Sequence, residues 1–171
     1  MRRTVQDGLN ELQSSLKEIR RAVLFLNGSH QREERWRRAC STNSLEAKMI
    51  ATDILSRWNS TYLMLQSLIS FRDVFTVWYN NERRQNVLGD GHWDDAIVLC
   101  SFLQVFYTTT TNLSASLRPT SPIVMHEMIL IGEVLKTYKG HERLGTAVAA
   151  MVEKFLNIFI SYRISTLLVF Y

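Results

Sequence analysis

Over the first part of the chain, apolar residues keep returning to one face of a helix. Leu9, Leu12, Leu16, Ile19, Val23 and Leu26 alternate between steps of three and four, the spacing that holds a single stripe at 3.6 residues per turn. This predicts an amphipathic helix over 5–26. Asn27-Gly28-Ser29 stops it, because Asn and Gly accept the left-handed backbone of a helix end. Arg32–Arg38 follows as a short polar run containing Trp36, and Ser41–Ala51 is weakly patterned, a loop or a short helix. Asp53–Thr61 has no helical period and reads as an extended lead-in. Asn59 or Ser60 is placed to cap a helix running to about Asn80, with Leu65, Leu68, Ile69, Phe75 and Trp78 on its buried face.

Gly89-Asp90-Gly91 marks a loop. Asp94 and Asp95 then fall in the first turn of a helix from about Trp93 to Leu113, where the macrodipole favours negative charge. Within it, Thr108–Thr111 has low intrinsic helix propensity and depends on packing. Ser121 as N-cap with Pro122 at the first helical position starts the next helix. Val124, Met128, Ile131, Leu135 and Tyr138 form its stripe, and Gly140 ends it. A last helix begins near Leu144, with Val148, Met151, Phe155 and Phe159 inward. The fold class is mainly α: a bundle of five helices whose stripes bury against one another.

Composition agrees. Seven Gly and two Pro are too few for the tight turns of a β-sandwich or barrel, and 46% hydrophobic residues suffice for a packed core. The length of 171 residues fits one domain, or one domain with part of another. The net charge of +4 sits in residues 1–38, which hold nine Lys/Arg against five acids. That segment is either a solvated helix face or a surface for phosphate. Cys40 and Cys100 stand alone, as in a reducing compartment. No secretory start is expected. A membrane partner is also not expected, because the apolar stretch Phe155–Tyr171 is barely long enough to span a bilayer and carries Arg163.

Candidate chemistry is sparse. His30, His92, His126 and His141 lack neighbouring ligands at metal-site spacing, so no metal and no cofactor is expected. Asp94 and Asp95 are adjacent on a helix and point about 100° apart, which prevents both from facing one ion. Asp53 is either a ligand or, the favoured reading, a structural acid pairing Arg57 or capping a turn. Glu127, Glu133, Glu142 and Glu153 fall on polar helix faces. Trp58 either stacks on an unpaired base or anchors its loop to the core.

The stretch Asp53-Ile54-Leu55-Ser56-Arg57-Trp58-Asn59-Ser60-Thr61-Tyr62-Leu63-Met64-Leu65 closely resembles a hallmark of hAT transposases, D-x-x-T-R-W-N-S-T-Y-x-M-L, with Ser56 in place of the usual Thr. Val5–Leu9, Ile19-Arg20, Ser29–Arg32, Phe106-Tyr107 through Leu113-Ser114, Pro119-Thr120-Ser121 and Ala150–Phe155 resemble further blocks of plant-type, ricesleeper-like members that carry a BED zinc finger. The resemblance covers about residues 5–156. It implies a piece of an RNase-H-like enzyme interrupted by a helical insertion: 1–38 a basic helix leaving the core, 39–156 the insertion region, 157–171 a divergent apolar tail. The family's two catalytic Asp and one Glu belong outside the matching stretch. A truncated transposase-like, nuclear protein is therefore expected, binding DNA but without strand-transfer activity or catalytic residues. Arg57, Trp58, Asn59, Arg20, Arg32, Arg35, Arg37 and Arg38 are the candidates to lie near DNA. The alternative is a helical protein-interaction module that associates with related transposase-like proteins through the stripes of the first and fourth helices.

Overall fold

The computed structural model describes residues 13–55, 57–83, 88–115, 121–141 and five positions between 144 and 152. Among them are six helices and no strand: α1 (Gln13–Asn27), α2 (His30–Thr42), α3 (Trp58–Ile69), α4 (Arg72–Glu82), α5 (Asp90–Ala115) and α6 (Ser121–Tyr138). They fall into two compact units, Gln13–Cys100 and one that includes the remainder of α5 and α6. The boundary expected at residue 38 lies inside α2.

In the first unit, α1 buries the expected stripe of Leu16, Ile19, Val23 and Leu26. Residues 5–12 of that expected helix, with Leu9 and Leu12, lie outside the described residues. The chain then reverses at Gly28, where a Cβ would approach the Leu24 carbonyl oxygen to 3.0 Å. The polar run that follows, which carries no apolar stripe in its sequence, is a full helix. α2 buries only Trp36 and Cys40, one turn apart, and is rich in Arg, Glu, Gln and Ala, good helix formers. Two inward residues are too few to register as a stripe. Packing against α1 and α4 supplies the rest of the stabilisation.

Trp36 is the hub of this unit. Phe71 and Phe75 meet it edge-on at 5.5 Å and Trp78 at 5.7 Å. Such T-shaped contacts place a positive ring edge on a negative ring face. Phe75 also stacks on Tyr79 and meets Trp93 of α5. The indole N–H of Trp36 donates to the Lys48 carbonyl at 3.2 Å, which ties the non-helical segment after α2 to the hub. One helix running to Asn80 was expected. Instead the chain breaks at Ser70–Phe71, where Phe71 leaves helical geometry at φ −116°, ψ 14°. The break lets the ring of Phe71 itself reach Trp36, which a continuous helix read from periodicity did not anticipate.

Asn80 holds Leu88 through both amide atoms, the Oδ1 accepting from its N–H at 3.0 Å. α5 begins at Asp90, three residues earlier than Trp93, so Gly91 is in its first turn and not in a loop. Arg72 pairs with Asp90 at 2.8 Å. The Thr108–Thr111 run is helical, as expected. Asp90–Ser114 is long and apolar enough to cross a membrane by composition, and it buries Trp93, Ala96, Leu99, Phe102, Leu103 and Phe106.

In the second unit, α6 starts at Ser121 and buries Met128, Ile131 and Leu135, while Tyr138 is half-buried and meets Phe102 at 5.4 Å. Leu144 and Val148 are buried as expected; Met151, Phe155, Phe159 and the tail lie outside the described residues. One placement is corrected. Glu127 is not on a polar face but 5% exposed, accepting from the Thr109 hydroxyl at 2.8 Å and the Asn112 amide at 2.9 Å. A buried carboxylate persists only when its oxygens are satisfied, and α5 supplies both donors.

Burial raises the pKa of the Cys40 thiol, so it stays protonated and unreactive at neutral pH. Trp36→Ala should cost about 3–5 kcal/mol in urea unfolding followed by circular dichroism. The same variant should speed alkylation of Cys40, one turn further along α2. An unchanged midpoint would remove Trp36 from the centre of the unit.

Candidate nucleic-acid interface

The Arg-Trp-Asn-Ser-Thr block is built around a buried carboxylate. The Asp53 side chain is 3% exposed, and its Oδ2 takes the Nε–H of Arg20 at 2.5 Å. The Thr61 hydroxyl lies 3.0 and 3.1 Å from the two carboxylate oxygens, and the Ser60 hydroxyl 2.6 Å from Oδ1. Ser60 Oγ also accepts from the Ile54 backbone N–H at 2.7 Å. The Arg57 N–H closes the intervening turn onto the Ile54 carbonyl at 2.8 Å. Asp53 therefore joins three pieces of chain: α1 through Arg20, its own turn, and the first turn of α3. The expectation that Asp53 pairs Arg57 is corrected, because a partner distant in sequence occupies the carboxylate.

Further supports keep this segment in place. Asn27 Nδ2 donates to the Ile50 carbonyl at 3.0 Å and to Thr52 Oγ1 at 2.8 Å, and the Ala51 N–H donates to Ser67 Oγ at 3.3 Å. A non-helical backbone running beside two helices has no ladder of its own, so side chains satisfy it.

The eight candidate residues separate clearly. Trp58 is 3% exposed, which favours the anchor over the stacking reading. The ring is inside and has no free face for a base. Asn59 is half-buried in the first turn of α3, and Arg57, the N-cap residue, is exposed. Neither Asn59 nor Ser60 caps α3. Arg20 is engaged by Asp53, with its side chain 16% exposed, and serves as a structural cation. Arg35 forms a two-pronged pair with Glu82 at 2.7 and 3.0 Å. The Arg32 guanidinium lies 4.1 Å from the centre of the Phe25 ring, where Arg83 also approaches to 5.1 Å. Arg37 is exposed, and no ion pair or hydrogen bond engages its side chain among the described residues. The Arg38 side chain is 79% exposed and reaches Glu34 only at 3.9 Å, a separation at which water screens the attraction strongly.

The chain matches the family described as the ZBED1 RNase-like helical domain over residues 1–102. It is a hAT-like, transposase-related protein of that family. Zinc finger BED domain-containing protein RICESLEEPER 2 of Oryza sativa subsp. japonica is 25% identical over 139 residues, 80% of this chain and 19% of the relative. A Zea mays protein whose name places it with AC transposases is 26% identical over 156 residues, 88% of this chain and 19% of its own length. Candidate transcriptional regulator tpeD of Talaromyces stipitatus is 31% identical over 134 residues, 76% of this chain and 15% of the regulator. The chain thus spans about a fifth of the length of the curated relatives it matches. No solved structure matches.

In this hAT-like chain, the motif that carries the resemblance is chiefly an architectural clip. Sequence reasoning singled out Asp53, Arg57 and Trp58 but missed Arg20 as the partner of Asp53, and Ser60 and Thr61 as its donors. Those contacts span 33, 7 and 8 residues, and no local periodicity encodes them. The cleft of about 360 Å³ beside α4, lined by Ala39, Val74, Val77 and Trp78, also includes Asp73 and Glu82, whose charge disfavours phosphate there.

Asp53→Ala should cost about 3–5 kcal/mol in urea unfolding, because it leaves the Arg20 guanidinium part-buried and unpaired. Thr61→Val should cost about 1–3 kcal/mol. Combining Arg20→Met with Asp53→Leu should recover much of the loss of the single Asp53 change. Additive losses in that double variant would show that the pair is not coupled.

Proposed function

We propose that this chain is a transposase-derived nucleic-acid-binding unit without strand-transfer activity of its own, and that α2 makes its phosphate contacts. The observation that carries the reading is the division among the arginines. Arg20, Arg32 and Arg35 are engaged by Asp53, the Phe25 ring and Glu82, while Arg37 and Arg38 are exposed on α2 with no close partner among the described residues. Cations that no carboxylate neutralises closely keep their full attraction for a polyanion.

Strand transfer of the two-metal kind needs convergent carboxylates. Among the described residues no group of three His, Cys, Asp or Glu is placed to hold a metal ion. The two carboxylates in buried settings, Asp53 and Glu127, are satisfied by protein donors. A nuclear location belongs to the same reading and is in keeping with relatives named for transposases and transcriptional regulation. The alternative, a protein-interaction module using the first and fourth apolar stripes, is weaker, because Leu16, Val23, Met128, Ile131 and Leu135 are all consumed in the interior.

The purified chain should bind duplex DNA with an affinity that falls steeply between low and moderate salt. In fluorescence anisotropy, Arg37→Ala and Arg38→Ala should each weaken binding of all sequences alike and make the log–log salt slope less negative by about one. Salt-independent binding, or variants indistinguishable from the parent chain, would count against α2 as the phosphate-binding surface. Metal-dependent cleavage of DNA by the chain would overturn the non-catalytic part.

A further inference from the structure

Turns on protein surfaces are normally polar, yet the turn held by Asp53 presents two large apolar side chains. Ile54 is 48% exposed and Leu55 68%, the most exposed large hydrophobic residue described. The start of the turn is fixed by the Ile54 N–H on Ser60 Oγ and its end by the Arg57 N–H on the Ile54 carbonyl, and the whole is seated on the buried carboxylate. Hydrogen bonds at Ile54 and Arg57 limit the conformational freedom lost there on binding. Beside it stands Arg57, exposed and with no ion pair or hydrogen bond engaging its side chain among the described residues.

We infer that Ile54 and Leu55 form an apolar wedge that enters the minor groove and parts a base step of duplex DNA, with Arg57 on the adjacent phosphate or groove floor. The inference rests on the nucleic-acid reading above and adds to it a second contact point and a deformation of the bound DNA. Chemistry and size favour this target. Apolar wedges beside Arg or Lys are how minor-groove proteins kink DNA, offsetting a few kcal/mol of unstacking with the contacts the bend permits. A knob of two exposed side chains covers far less than the ~800 Å² that each partner contributes to a stable protein interface. An uncompensated cation at its edge suits a polyanion.

The test uses the full chain and a short duplex carrying 2-aminopurine beside a TpA step, where unstacking costs least. Binding of the parent chain should raise 2-aminopurine emission. Leu55→Ser should abolish the rise and weaken binding about tenfold, in line with the loss of one buried leucine contact, while leaving the salt slope unchanged. Leu24→Ser, at another exposed leucine, on α1 and 58% exposed, should change neither. Circular dichroism of both variants should match the parent, because neither side chain is in the core. Salt-dependent binding with no emission change, and with Leu55→Ser equal to the parent, would overturn the wedge and leave the α2 reading standing. An emission rise in Arg37→Ala and Arg38→Ala with affinity and salt slope equal to the parent would keep the wedge and remove α2. No binding at low salt would sink both. A change in self-association on Leu55→Ser with DNA binding untouched would mark the tip as a protein contact and overturn the wedge.

Discussion

A carboxylate removed from water must find donors, and the first unit is arranged so that Asp53 does. Its partners come from α1, from its own turn and from the first turn of α3. Removing an isolated carboxylate from water costs several kcal/mol even after relaxation, so these pieces are coupled: displacing any one leaves a charge or hydroxyl stranded. The position of the apolar tip, the exposure of Arg57 and the start of α3 follow from that one constraint.

The aromatic hub around Trp36 does different work. Ring contacts contribute area and shape but little direction, and they hold α2, α4 and α5 together within the same unit. α2 depends on the hub especially. With Trp36 and Cys40 as its only buried residues, the helix docks by a narrow edge and leaves most of its charged surface in solvent. A helix held this way can present arginines without desolvating them, which is the geometry a phosphate-binding surface requires. In the second unit the Thr109–Glu127–Asn112 cluster repeats the logic of Asp53 on a smaller scale, a buried acid satisfied by hydroxyl and amide donors.

Much of this was legible along the chain. The stripes of α1 and α6, the long α5 and the stop at Gly140 are written as periodicity, which survives folding because burial selects one face of a helix. α2 was not legible, since two inward residues make no period. The break at Phe71 was hidden because Leu65, Leu68, Phe75 and Trp78 keep helical spacing across it. Glu127 read as a surface acid because donors on another helix are invisible from its own neighbours.

Residue order by itself determined the all-helical class, the location of the excess positive charge and, through the Asp53–Leu65 block, the membership of a hAT-like family. Tertiary structure alone decided which residues of that block face inward. Trp58 and the Asp53 carboxylate are buried, and Arg57 and Leu55 are exposed, because the turn is fixed by Arg20, 33 residues away from Asp53 in sequence. Likewise, only the fold separates arginines that neutralise buried or neighbouring groups from those left to the solvent. Charge pairing is set by distance in space, and the sequence lists charges without distances.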